Sequence, residues 1–166
     1  LGNKSGRFEL AKDFGVVKIF HKIPSVSLDS LFYFSCNLNK IDTLNWNVPN
    51  QGIVLSENEQ RNKIWHFTQD DTWGPSFSLN LDSLERNNEY LISVRLKIFG
   101  ISKTPKALLI TQVKDETGII SWRRAEIYSQ VDSAETWSML YANHFIDKEL
   151  SSQQNLIFQS YLWNIN

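Results

Sequence analysis

The sequence predicts an all-β fold, a jelly-roll β-sandwich of two antiparallel sheets, on three observations. Apolar and polar residues alternate with a period of two along residues 76–81 and 90–99, as they do in half-buried strands. Segments of this kind recur roughly every 10–15 residues with turn signals between them, which favours a sandwich of about eight or nine strands. No stretch longer than about ten residues keeps the apolar spacing of an amphipathic helix.

The first 25 residues are expected to form an irregular N-terminal arm ahead of one sandwich domain at residues 26–166. Three glycines lie among mixed charges in this arm, and Pro24 interrupts it near its end. Residues 16–20 are apolar enough for one short strand. The domain boundary is therefore placed after residue 25.

The first half of the sandwich is predicted from short apolar runs between polar turns. Residues 31–38 are rich in aromatic side chains and form its first predicted strand. Residues 45–52 are expected to form a loop because proline and glycine interrupt them, and short strands are predicted at 52–56 and 63–68. Residues 70–75 read Asp-Asp-Thr-Trp-Gly-Pro and predict a turn, whose tryptophan would plug a sheet edge or line a site.

The second half of the chain carries the clearest alternation. One face of residues 90–99 is apolar, whereas the other carries a serine, a lysine and Arg95, so Arg95 is expected to point away from the core. A hairpin turn is predicted at 115–118, where a glycine permits positive φ, and a polar loop at 148–154. The remaining strands are predicted at residues 107–113, 119–128, 136–146 and 155–164.

The composition is that of an ordinary soluble domain with an excess of aromatic residues. Of the 166 residues, 42% are apolar and 21% are charged, which argues against disorder. Seventeen basic and eighteen acidic residues give a net charge of -1, so no nucleic-acid partner is expected. No apolar run approaches the ~18 residues of a membrane span, and we expect this chain not to contact a membrane. Aromatic residues reach 13% and include six tryptophans.

No catalytic residues are expected. The G-x-S-x-G motif that would mark a serine nucleophile is absent. The single cysteine, Cys36, lies in an apolar segment where a buried thiol is the usual outcome, and one cysteine cannot form an internal disulfide. Glycoside hydrolysis needs two carboxylates facing one cleft. The acids of this chain lie mostly in turn-like segments, and Glu126 is alone on its predicted strand.

No zinc site is expected, because the three histidines are far apart in the sequence and match no metal-binding motif. The carboxylates of Asp29, Asp70 and Asp71 are candidate ligands for a structural calcium ion. Their spacing does not match an EF-hand, and ordinary turns are the favoured explanation for them. No other cofactor is expected.

The tryptophans permit two interpretations, core packing or a binding platform. Core packing is favoured for any single tryptophan because large aromatic side chains are mostly buried, and Trp137, with apolar neighbours on both sides, is assigned to the core. Exposed indoles can instead stack on the flat C–H faces of sugar rings while nearby polar groups bind the hydroxyls.

Two predicted strands have a face that mixes aromatic and polar side chains. Trp122 and Arg124 share such a face on residues 119–128, and Tyr161 and Trp163 share one on residues 155–164. The candidate ligand contacts are therefore Trp122, Arg124, Tyr161, Trp163 and the outward-facing Arg95.

Three segments carry a family pattern, and they are Tyr90-Leu91-Ile92-Ser93-Val94, Trp137-Ser138-Met139-Leu140 with Phe145 after it, and Tyr161-Leu162-Trp163-Asn164. In this order they resemble the galactose-binding-like jelly-roll family of carbohydrate-binding modules that are appended to xylanases and cellulases. The resemblance covers about residues 30–166 and extends to sandwich domains of Bacteroidetes-type envelope proteins without an assigned activity. It implies a sugar site on a concave sheet or at one end of the loops.

The sequence departs from the family pattern at its last strand. Family members usually close with an apolar-x-apolar-Asp-(Asp/Asn) strand, whereas this sequence ends at Asn166 soon after residues 155–164. The N-terminal arm could supply the missing strand. The acid that helps hold a structural calcium ion in the family is missing too, which puts calcium in doubt here.

The sequence therefore predicts a non-catalytic module that binds a carbohydrate or a cell-surface protein. The resemblance implies an extracytoplasmic location, periplasmic or at the cell surface, and we expect a monomer. The main alternative is a structural or protein-interaction domain of an envelope protein without sugar affinity, and a jelly-roll glycoside hydrolase or lyase is the least favoured. The site hypothesis fails if the aromatic side chains of the candidate contacts are buried in the core.

Overall fold

The computed structural model describes residues 8–13, 17–22, 45–48, 53–55, 63–65, 70–100, 107–130 and 136–165. Within these ranges the chain is predominantly β, with two antiparallel sheets and a separate two-stranded pair. The prediction of an all-β fold is confirmed. In chain order the strands are β1 Phe8–Asp13, β2 Val17–Lys22, β3 Trp46–Asn47, β4 Ile53–Leu55, β5 Lys63–Trp65, β6 Trp73–Asn80, β7 Tyr90–Gly100, β8 Ala107–Lys114, β9 Ile119–Glu126, β10 Thr136–Ile146 and β11 Ile157–Asn164.

One sheet has four strands in the order β1-β2-β7-β10, and the other has five in the order β3-β6-β11-β8-β9. Strands β4 and β5 pair with each other. From β6 to β11 the chain passes between the two large sheets at the β6–β7, β7–β8, β9–β10 and β10–β11 connections. Strands that are neighbours in a sheet are therefore often distant in sequence.

The N-terminal arm requires a correction. Residues 8–13 and 17–22 are not irregular but form β1 and β2, and β2 pairs with β7 from Val17 opposite Val94 to His21 opposite Tyr90. The charged residues of both segments masked the alternation in the sequence, and β1 tolerates its charges because it lies at the edge of the sheet. The four-stranded sheet thus extends ahead of the boundary placed after residue 25.

Strand boundaries in the second half follow the alternation closely. Strand β10 begins and ends where it was predicted, and its even-numbered residues from Ser138 to Ile146 are buried while the odd-numbered ones point outward. Trp137 belongs to the outward set and lies half-exposed beside Phe99, with ring centroids 5.5 Å apart. The assignment of Trp137 to the core is therefore wrong, because its position in the alternation matters more than its apolar neighbours.

The core lies between the two large sheets. Its buried side chains come from β6, β7, β8, β10 and β11, so both sheets contribute. A series of aromatic contacts crosses it, from Trp46 to Phe77 at 5.1 Å, from Phe77 to Phe158 at 6.4 Å, and from Phe158 to His144 at 5.9 Å between ring centroids. Each fully buried phenylalanine contributes about 1.5–3 kcal/mol relative to exposure.

Local hydrogen bonds from aspartate side chains shape two connections in the last third of the chain. In the 115–118 turn the Asp115 carboxylate accepts hydrogen bonds from the backbone N–H groups of Thr117 and Gly118, and Gly118 has a φ of 143°. The polar loop predicted at 148–154 instead contains a short helix, α1 (Lys148–Ser152), whose N-cap Asp147 accepts from the Leu150 N–H. An N-cap carboxylate that binds the first turn explains this difference.

Several predicted features lie outside the described residues. These are the strand at 31–38, the loop acid Asp29 and Cys36. Among the residues that are described, no helix has the length and hydrophobicity needed to span a bilayer.

Candidate functional site

The outer face of the five-stranded sheet brings together four of the five candidate contacts. Strands β9, β8 and β11 each contribute one residue to three successive rows across this face. The rows are Trp122–Gln112–Gln159, Arg124–Ile110–Tyr161 and Glu126–Leu108–Trp163. The intervening residues on the same strands, such as Leu109 and Phe158, belong to the core. The alternation therefore turns the rows away from the core.

A β-bulge adds Trp73 to this face. Tyr161 lies opposite Ser76, but Trp163 lies opposite Trp73, so β6 carries one extra residue at this point. The extra residue reverses the side on which Trp73 emerges, because a bulge shifts the period-two alternation by one. Gly74 fits the bulge because a Cβ there would lie 2.8 Å from the Cβ of Leu162.

The aromatic rings on this face contact one another. The centroids of Trp73 and Trp163 are 5.8 Å apart with an interplanar angle of 20°, and the Trp73 ring meets Tyr161 edge-on at 5.4 Å. Trp73 is 53% exposed and Trp122 is 38% exposed, while Tyr161 and Trp163 are half-buried. None of the four belongs to the core cluster. We call the surface formed by Trp73, Trp122, Tyr161, Trp163 and Gln159, together with Gln112, which is only 6% exposed, the aromatic face.

Two glutamines connect the rings of the aromatic face. Gln112 Nε2 donates a hydrogen bond to Gln159 Oε1 at 3.0 Å, and the Tyr161 hydroxyl donates to Gln112 Oε1 at 3.3 Å. These hydrogen bonds fix the positions of three polar side chains across β8 and β11.

The phenol of Tyr161 stays protonated at ordinary pH. Partial burial raises the pKa of Tyr161 above its usual value, and the hydrogen bond from Trp122 opposes that rise. A protonated phenol can donate to Gln112 Oε1, and the Tyr161 hydroxyl does so here.

The one cation and one anion in the rows pair with each other. Arg124 Nη2 lies 3.6 Å from Glu126 Oε1, on the exposed side of β9. A surface pair of this kind contributes little to stability, but it leaves the rows without net charge. Arg124 therefore stands at the edge of an otherwise uncharged, aromatic surface.

Arg95 is not brought to the aromatic face. It lies on β7 in the four-stranded sheet, pointing outward as predicted, with its guanidinium 5.6 Å from the centre of the Tyr141 ring. Lys97 lies similarly over Trp137 at 4.5 Å. Because the two sheets face each other across the core, their outer faces point in opposite directions, and Arg95 cannot share a ligand with Trp122.

The basic residues Arg95, Lys97, Arg123 and Arg124 do not form one stripe. Arg95 and Lys97 lie on the four-stranded sheet, whereas the other two are neighbours on β9 and point to opposite faces of the five-stranded sheet. The electrostatic groove that single-stranded nucleic acid requires is therefore not assembled from these four residues.

Sequence reasoning missed three members of the aromatic face. Trp73 lies in a segment that the sequence predicts to be a turn, and its outward direction follows only from the bulge in β6. Gln159 belongs to the same alternating face as Tyr161, so its position was available from the sequence, but Gln112 lies in a strand of uniformly buried residues. The pairing of the two glutamines depends on strand register, which no pattern along one strand encodes.

No metal centre accompanies this surface within the described ranges, since no three His, Cys, Asp or Glu side chains there lie close enough to hold an ion. No family model, curated protein or solved structure matches the chain.

Proposed function

We propose that this chain is a non-catalytic carbohydrate-binding module and that the aromatic face is its binding surface. The observation that carries the proposal is the placement of four partly exposed aromatic rings on one outward sheet face, together with the Gln159 amide, which the buried Gln112 amide holds by a hydrogen bond. Sugar rings present apolar C–H faces and hydroxyl groups together. A rigid surface of indoles and amides complements both at little cost in side-chain entropy.

The jelly-roll form and the galactose-binding-like resemblance belong to the same proposal. Two antiparallel sheets over one core, with four crossings between them from β6 to β11, support it. The extracytoplasmic location, periplasmic or at the cell surface, rests on the resemblance in the second half of the chain.

The proposal is tested by titrating the intrinsic tryptophan fluorescence with a panel of soluble polysaccharides, alongside affinity electrophoresis. We expect a saturable change with at least one neutral glycan. Trp122→Ala and Trp163→Ala should each weaken binding roughly five- to thirtyfold, because each removes a stacking surface worth about 1–2 kcal/mol.

Trp137→Ala is the matched control. It also removes a half-exposed tryptophan, but from the four-stranded sheet. Binding that is equally lost in Trp137→Ala, or no binding across the panel, would contradict the assignment to the aromatic face.

A second candidate function, docking of a protein partner, has one observation in its favour. The outward positions of β10 and β7 carry a stripe of exposed apolar residues, which are Phe99, Met139, Tyr141 and Phe145. The charged residues at the outward positions of β7 and β10 are Arg95 and Lys97, and both are cations. An acidic, partly apolar protein would complement this stripe. Silence across the glycan panel, with a folded protein, would favour this candidate.

A further inference from the structure

The edge of β10 that faces away from β7 is bound by a side chain that imitates a β-strand. Gln130 Nε2 donates to the Tyr141 carbonyl at 3.1 Å, and Gln130 Oε1 accepts from the Tyr141 N–H at 2.7 Å. A residue of an adjacent antiparallel strand makes the same two-bond exchange in a hydrogen-bonded pair. The backbone groups of Tyr141 therefore point away from β7, towards the position that a further strand would take.

The alternation of the ladder extends this edge to both sides of Tyr141. Strands β7 and β10 pair without a register shift from Thr136 to Ile146. In such a ladder, residues whose backbone groups bond the neighbouring strand alternate with residues whose groups point to the other edge. Met139 and Asn143, two residues to either side of Tyr141, thus direct their N–H and carbonyl groups the same way. In the described part of the chain, neither residue has a hydrogen-bond partner on this side.

The side chains along this edge suit an extended, partly apolar segment. Those of Met139, Tyr141 and Asn143 lie on the outward side of the sheet, where Met139 is 43% and Tyr141 48% exposed. A strand added about 4.8 Å from β10 would set every second side chain beside them. Strand addition of this kind takes its affinity from main-chain hydrogen bonds and its specificity from the side-chain contacts.

The charge beside this edge favours an acidic segment. Arg95 lies opposite Tyr141 on β7, with its guanidinium 5.6 Å from the centre of the Tyr141 ring, and Lys97 follows on the same face. Carboxylates on an added strand complement these two cations. A second copy of this chain, paired at the same edge, would instead bring its own Arg95 and Lys97 towards them, so a second copy fits less well.

We propose that the edge of β10 is a strand-addition site for an extended acidic segment of a protein partner, and that Gln130 occupies this edge until the segment displaces its amide. The segment bonds the backbone of Met139, Tyr141 and Asn143, and its carboxylates meet the cations of β7. The site belongs to the four-stranded sheet, so it does not depend on carbohydrate binding at the aromatic face. It also differs from docking on the exposed apolar stripe, because the partner contacts the backbone edge.

Two synthetic peptides of equal length, titrated into the whole chain, test the inference. One alternates glutamate with valine and the other alternates lysine with valine, so the peptides differ in charge but not in pattern. Fluorescence anisotropy of the labelled peptides measures affinity, and we expect the acidic peptide to bind roughly tenfold or more tightly than the basic one. Hydrogen exchange measured by NMR should show new protection of the Met139 and Asn143 amides, because both join a ladder.

Gln130→Ala tests the role of the amide. The variant lacks the group that competes with the peptide, so its affinity for the acidic peptide should rise roughly tenfold, since two hydrogen bonds no longer have to be broken. The titration uses protein concentrations at which the variant is monomeric. Gln153→Ala is the matched control, because it removes an exposed glutamine beyond α1, and it should leave the affinity unaltered.

Arg95→Gln tests the charge without changing the backbone edge. Loss of this cation should weaken binding of the acidic peptide severalfold and reduce the dependence of binding on salt. Arg86→Gln makes the same change at an exposed position in the connection between β6 and β7, and it should have neither effect.

The amide protection separates the possible occupants of this edge. Binding of the acidic peptide without new protection at Met139 and Asn143 would mean that the peptide docks elsewhere, and the inference would be overturned. It is also overturned if neither the parent nor Gln130→Ala binds this peptide, or if the variant binds it no more tightly than the parent. Protection of the two amides that rises with protein concentration alone would make the occupant a second copy instead of an acidic partner.

Discussion

His144 is the most unusual single residue of the core. It is fully buried on β10, its Nδ1 lies 3.1 Å from the Thr111 hydroxyl, and its Nε2 has no partner among the described residues. Burial first, and the nearby positive charge of Arg123 second, lower the pKa of His144 to about 4. The ring is therefore neutral in the folded protein at every pH at which the protein is ordinarily handled.

The stability of the protein should consequently fall as the pH falls from about 6.5 towards 4. The unfolded chain, with an ordinary histidine pKa near 6.5, takes up a proton in this window that the folded chain does not. The expected loss is about 2 kcal/mol between pH 7 and pH 5. Urea unfolding of the protein and of His144→Gln at both pH values measures it. The variant, which cannot titrate there, should show a much smaller difference, and equal differences would contradict the role of His144.

At the scale of the element, β10 ends the four-stranded sheet in the described part of the chain, where it pairs with β7 on one side, and a glutamine side chain binds its other edge. On its other side, Gln130 binds Tyr141 twice, donating from Nε2 to the Tyr141 carbonyl at 3.1 Å and accepting from the Tyr141 N–H at 2.7 Å. The side-chain amide takes the place of a neighbouring strand, and an occupied edge is a poor template for pairing with another chain.

Replacing Gln130 should therefore increase self-association. Gln130→Ala removes both hydrogen bonds and should lower the free energy of unfolding by roughly 1–3 kcal/mol, with more oligomer at high concentration. Gln130→Glu keeps the acceptor and loses the donor, so its effect should be intermediate. Urea unfolding and sedimentation velocity measure the two effects. An alanine variant that is as stable and as monomeric as the parent would show that the amide does not protect the edge.

The elements differ in how well the sequence predicts them, and the difference has a physical cause. Strands β7 and β10 were predictable because one face of each is buried, which imposes alternation along the strand. The same alternation placed Trp122, Tyr161 and Trp163 outward. It could not reveal the bulge that turns Trp73, nor the register that joins Gln112 to Gln159, because both depend on contacts between strands.

At the scale of the whole molecule, the two sheets share one core but have outer faces of different chemistry. The five-stranded sheet carries the aromatic face, whereas β7 and β10 carry exposed apolar residues with Arg95 and Lys97. Changes to the four-stranded sheet should therefore affect stability without altering the aromatic face directly. Removing the N-terminal strands β1 and β2 tests this difference between the two sheets most strongly, because both strands belong entirely to the four-stranded sheet.

A chain shortened to residues 26–166 should be markedly less stable than the full chain. Removing β2 breaks its pairing with β7 from Val94 to Tyr90 and exposes a new edge beside buried core residues. At about 1 kcal/mol for each backbone hydrogen bond, the loss should amount to several kcal/mol. Thermal unfolding and light scattering should show a lower midpoint and aggregation, while a chain of residues 8–166, which keeps both strands, should match the parent. Equal stability of all three chains would instead show that residues 26–166 fold independently of β1 and β2.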